Sequence, residues 1–104
     1  MSAQWRAAID SLAFRPDGHL GHCIVHRRAL RTLIGTDPTP AMALAYFRRH
    51  AGLFATAAAA KIGKAGLETA ANFHLTSRDL RRQRDVATGT ESAAPLLDTD
   101  LTDQ

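Results

Sequence analysis

The stretch Leu12–His26, LAFRPDGHLGHCIVH, decides the fold class. Leu12 and Phe14 alternate with Ala13 and Arg15, the two-residue period of a half-buried strand. Pro16-Asp17-Gly18 then supplies a turn, because Pro fixes one φ and Gly accepts the positive φ that closes a reversal. Leu20–His26 contains β-branched Ile24 and Val25, so Leu12–Arg15 and Leu20–His26 read as a hairpin.

Working outward, Arg28–Ile34 reads as a short helix with Leu30, Leu33 and Ile34 on one face and Gly35 ending it. Thr36-Asp37-Pro38-Thr39-Pro40 is a stop followed by a restart. Thr39 is placed as an N-cap, and Pro40 sits where a missing N–H is not needed. Across Ala41–Ile62, Leu44, Phe47, Ala51, Phe54, Ala58 and Ile62 recur at steps of three and four. That spacing predicts one long helix with a continuous apolar stripe, flanked by Arg48 and Lys61, with Arg49 off the stripe. Gly63 and Gly66 punctuate its end. Asn72–Thr76, with Phe73 and Leu75 on one side and His74 on the other, suits a third strand, and Thr76 or Ser77 caps a last turn, Arg78–Arg84. At the other end, Met1–Asp10 carries Trp5, Ala8 and Ile9 at weakly helical spacing. The order predicts an α+β domain: a small antiparallel sheet, hairpin plus third strand, packed against one long and one short helix.

Charge divides the chain. Residues 1–84 hold all thirteen Lys and Arg and five of the ten carboxylates, a net +8, while residues 85–104 hold the other five carboxylates, a net −5. Thr, Gly, Ser, Ala, Pro and Asp dominate after residue 84, so the expectation is a single domain over 1–84 and a disordered acidic tail over 85–104. In that tail Asp98, Asp100 and Asp103 intersperse with Leu96, Leu97 and Leu101. A body of this size, with much of its apolar content in Ala, buries little area per residue. Trp5, Phe14, Leu30, Leu33, Tyr46, Phe47, Phe54 and Phe73 are the expected main core residues, and a homodimer contact is a natural supplement.

One cysteine, Cys23, excludes an internal disulfide and fits a reducing compartment. Arg6 and Asp10 interrupt any signal-peptide core, and the apolar run Ala51–Ala60 is too short to span a bilayer. A soluble cytoplasmic protein with no membrane partner is expected.

The densest set of ligand-type residues is His19, His22, Cys23 and His26. On one helix they would share a face and suit zinc. On a strand His22 and His26 point one way, His19 and Cys23 the other, and Gly18, Gly21 and Ile24-Val25 favour the strand. A metal site is therefore the third-ranked reading. Catalysis finds little support, since nucleophile, base and orienting acid must lie within reach of one another. Asp17 and Asp37 occupy turns, Asp79 a first helical turn, and Cys23 and His22 point apart as strand neighbours. No enzyme and no cofactor are expected.

The Arg clusters are the stronger lead. Arg27, Arg28 and Arg31 group on the first helix, Arg48 and Arg49 on the long one, and Arg78, Arg81, Arg82 and Arg84 near the end. The guanidinium fork pairs with phosphate or carboxylate. These residues are the candidate contacts of an interaction or regulatory module whose partner is an unidentified acidic protein. The alternative is a weak nucleic-acid-binding protein.

Phe14, Gly18, Cys23-Ile24-Val25 and Ala29-Leu30, continued by Phe47, His50, Ala58, Lys61 and Ser77-Arg78-Asp79-Leu80, also form a recognisable series. The series resembles a small bacterial family, domain of unknown function 1488, over roughly Leu12–Leu80. The chain departs from that pattern at His26 and Arg28, where the family has Ser and Glu, the usual cap and first-turn acid. The resemblance implies a compact α+β fold and brings no established activity.

Overall fold

The computed structural model describes residues 1–92, with side-chain placement for residues 1–86. Four strands, β1 (Ala3–Arg6), β2 (Ser11–Phe14), β3 (Cys23–His26) and β4 (Phe73–His74), form one sheet in the order β1-β2-β3-β4. Four helices accompany them among the described residues: α1 (Arg27–Ile34), α2 (Pro40–Arg49), α3 (Ala51–Ala65) and α4 (Ser77–Ser92). The domain is α+β, as the sequence implies.

The hairpin forms the centre of the sheet. β2 and β3 pair antiparallel with Leu12 opposite Val25 and Phe14 opposite Cys23, so these four share one face. All four are essentially inaccessible. Gly18 adopts φ 77° in the turn, as the reversal requires. β3 begins only at Cys23, because Leu20 and Gly21 both donate their N–H to the Thr69 carbonyl instead of to β2. Gly21 has no room for a side chain: a Cβ there would overlap the Ala71 carbonyl.

Three expectations are corrected. The N-terminus is an edge strand followed by a 3-10 turn at Ala7–Ile9, not a weak helix. Pairing with β2 places Ala3 opposite Phe14 and Trp5 opposite Leu12, and this tertiary contact outweighs the local spacing. The sheet is mixed rather than antiparallel, since β4 runs parallel to β3, with Cys23 beside Phe73 and Ile24 beside His74. A parallel partner becomes possible because three helices intervene between β3 and β4 in the chain.

The third correction concerns the long helix, which breaks into α2 and α3 at His50, where φ −116° and ψ 32° leave the helical range. The His50 N–H is shared between the Tyr46 and Phe47 carbonyls, and its own carbonyl accepts from Leu53 and Phe54, so both backbone groups of the residue at the break are satisfied. Its consequence is aromatic. Phe47 from α2 and Phe54 from α3 meet Phe14 at ring-centroid distances of 5.0 and 6.0 Å and each other at 5.1 Å. Phe47, Phe54 and Ala58 are buried as the stripe requires, while Leu44, Ala51 and Ile62 are only partly covered.

The helix ends follow their sequence signals. The Thr39 hydroxyl accepts from the Met42 N–H, with Pro40 in the first helical position, and Gly35 and Gly66 terminate α1 and α3. His26 caps α1, its Nδ1 accepting the Arg28 N–H at 3.0 Å. α4 continues to Ser92, eight residues past the boundary expected at Arg84. The rest of the expected acidic tail, residues 93–104, lies outside the described residues. No helix among the described residues is long and apolar enough to cross a membrane.

Candidate functional site

α4 packs against α3 and α1, with Leu80 delivered into the core. Its first turn is tied down by a reciprocal cap: the Thr76 hydroxyl accepts the Asp79 N–H, and the Asp79 carboxylate accepts the Thr76 N–H at 2.9 Å. The same carboxylate oxygen takes the Lys61 ammonium of α3 at 3.0 Å. Asp79 therefore fixes the registration of α3 against α4. Partial burial pushes its carboxyl up. That effect is outweighed by the Thr76 N–H, the Lys61 ammonium and the Thr76 hydroxyl, so the group titrates below the ordinary carboxylate range.

A depressed carboxyl contributes stability above its unfolded value, about 3.9, and loses that contribution as pH falls through the folded value. Asp79→Ala is expected to lower stability by about 1–3 kcal/mol at neutral pH. The difference from the parent chain should shrink below about pH 4. Urea unfolding of the two proteins at several pH values checks both.

Beside this anchor lies a groove of about 270 Å³, lined by Ala57, Ala60, Lys61, Lys64 and Ala65 from α3 and by Asp79, Arg82 and Gln83 from α4. A shallower cavity of about 530 Å³ continues along α4 over Arg78, Arg81, Arg82, Asp85 and Val86. Arg82 borders both, so Lys61, Lys64, Arg82, Arg81 and Arg78 form one basic surface. The i, i+3, i+4 spacing of Arg78, Arg81 and Arg82 puts them on one side of α4, opposite Leu80. Lys61 and Lys64 were not among the expected contacts. They are paired by their own i, i+3 spacing on α3, a signal visible in the sequence only once α3 and α4 are known to be neighbours.

The other predicted contacts fall elsewhere. Arg27 is structural: its Nε donates to both Asp10 carboxylate oxygens at 2.9 Å and its Nη1 to Asp37 at 2.8 Å, tying α1 to the loops on either side. Those two carboxylates hold the guanidinium still more firmly protonated. Arg28 and Arg31 are exposed on α1, and Arg48 and Arg49 are exposed in the last turn of α2. Arg84 is exposed on α4 and does not border the two cavities that Arg82 joins.

The candidate ligand cluster separates. Cys23 is in the core, and burial pushes its thiol up to about 12, with Lys61 opposing and Asp79 adding to the effect, so it is a neutral thiol at physiological pH. His19 is also buried, with Nε2 2.7 Å from the Ala71 carbonyl and its ring edge-on to Phe73. His19 and His22 border one polar cavity with Asp17, and His26 caps α1. Among the described residues no three His, Cys, Asp or Glu side chains come together as a metal site.

Comparison of the chain with protein families, with curated proteins and with solved structures finds no match.

Proposed function

We propose that the protein is a non-enzymatic interaction module that docks an acidic segment of a partner protein on the α3–α4 face. The observation that carries this reading is the joining of two cavities through Arg82, which gathers five cations from two helices. Of the two carboxylates on that surface, Asp79 is already engaged by Lys61 and Thr76. Charge of one sign gathered on a face steers and orients an oppositely charged partner.

Nucleic acid is the second reading, and the composition of the face weighs against it. Base stacking needs accessible aromatic rings: Phe14, Phe47, Phe54 and Phe73 are buried, the half-buried Trp5 and Tyr46 lie on β1 and α2, and neither cavity is bordered by an aromatic residue. The face instead mixes cations with Ala57, Ala60, Ala65 and the exposed Val86, the mixture expected where side chains of a protein are received. The single buried cysteine supports a reducing, cytoplasmic setting. A homodimer would use the outer edge of β1, which is paired only on its β2 side among the described residues.

The test is binding of a Glu/Asp-rich peptide and of a random DNA duplex to the full chain across salt concentrations. The peptide is expected to bind, the double variant Arg81→Glu/Arg82→Glu to weaken it about tenfold or more, and Arg48→Glu/Arg49→Glu to change it by less than about twofold. Tighter binding of the duplex, with a salt slope reporting several phosphates, would replace this reading with the nucleic-acid one.

A further inference from the structure

We propose that the groove between α3 and α4 is a binding site for a phosphate monoester group. This deepens the reading of that face as the docking surface and rests on it.

Charge selects the ligand class. Lys61, Lys64 and Arg82 against Asp79 leave the lining with two net positive charges. A phosphate monoester carries about −1.5 to −2 at neutral pH and matches them, whereas one carboxylate leaves a cation uncompensated. Asp79 is a poor neutraliser for the remaining two cations, since its carboxylate already holds Lys61 at 3.0 Å and the Thr76 N–H at 2.9 Å. Lys64 and Arg82 make no ion pair or side-chain hydrogen bond among the described residues. The Arg82 fork can take two phosphate oxygens, and Lys64 supplies a point charge from the opposite wall.

Shape agrees with charge. Ala57, Ala60 and Ala65 keep the groove open and give it an apolar wall between the two cations. Its volume of about 270 Å³ falls just below the span of about 300–1,000 Å³ typical of drug-sized ligands. That suits a phosphate on a short stem rather than a large cofactor. The group arrives either on a phosphorylated side chain or as a small soluble phosphoester, and the chemistry that recognises it is shared.

Calorimetric titration of the full chain with three probes tests the proposal: free O-phosphoserine, an acidic peptide containing one phosphoserine, and the same peptide unphosphorylated. The phosphopeptide is expected to bind about tenfold or more tightly than its unmodified form. Lys64→Gln should abolish that preference, and Arg28→Gln, on exposed α1, should leave it intact. Binding of free O-phosphoserine as tight as that of the phosphopeptide identifies a soluble ligand; much weaker binding identifies a modified partner. Equal affinity for the two peptides, or a preference that survives Lys64→Gln, overturns the phosphate site while leaving acidic docking in place. If neither peptide binds, docking fails as a reading. The groove then stands only if O-phosphoserine binds in a Lys64-dependent manner, and falls otherwise.

Discussion

Phe54→Ala is expected to cost about 3–5 kcal/mol, a large share of the stability of a domain this size. Phe54 is fully buried and stands where three elements meet: Phe14 of β2 at 6.0 Å, Phe47 of α2 at 5.1 Å and Tyr46 at 6.1 Å. Removing the ring leaves a cavity between sheet and helices, and pairing of β2 with a strand on each side restrains the sheet from closing it. The melting temperature should fall by about 12 °C or more. Thermal and urea unfolding check this, and a midpoint within a degree or two of the parent would show that the aromatic cluster does not hold the helices on the sheet.

Gly21→Ala should be the second most damaging change, for a steric reason. The added methyl would occupy the position of the Ala71 carbonyl and approach that of Ala70, so the 69–71 loop must move. That loop accepts the Leu20 and Gly21 N–H groups through Thr69 and holds His19 through Ala71. Overpacking of this kind costs about 1–3 kcal/mol and occasionally more. Because Asn72 also receives the His22 N–H and leads into β4, the parallel strand should loosen with the loop. Amide hydrogen exchange should show faster exchange at Phe73 and Leu75 than in the parent chain. Unchanged exchange and unchanged stability would contradict the close approach.

Much of the fold is legible in the sequence because its signals are local. The Pro16-Asp17-Gly18 turn and the Thr39-Pro40 helix start each operate within a few residues, and the structure follows them. The alternation of Leu12 and Phe14 marks the strand but not its burial, since Ser11 and Ala13 on the other face of β2 are buried as well. The departures have non-local causes. β1 is a strand because Trp5 and Ala3 find Leu12 and Phe14 on β2, which spacing within Met1–Asp10 does not report. β4 is parallel because the chain returns to β3 after three helices. The stripe through Phe47 and Phe54 predicts their common burial, yet it does not distinguish one helix from two that converge on Phe14.

The site is less legible than the fold for the same reason. Arg78, Arg81 and Arg82 are visible as a helical face, but Lys61 and Lys64 join them only through the packing of α3 on α4. Arg27 looks like a surface cation in sequence and is a structural bridge between Asp10 and Asp37. His26 looks like a candidate metal ligand in sequence and is a helix cap, because an imidazole nitrogen can accept the Arg28 N–H.

The central claim is that α3 and α4 together form the binding face. The most direct measurement is chemical-shift mapping of the ¹⁵N-labelled full chain during titration with a Glu/Asp-rich peptide. The largest amide shifts are expected to cluster at residues 61–65 and 78–83, with Arg28, Arg31, Arg48 and Arg49 little affected. Shifts centred on α1 or α2, or spread evenly over every exposed arginine, would contradict it.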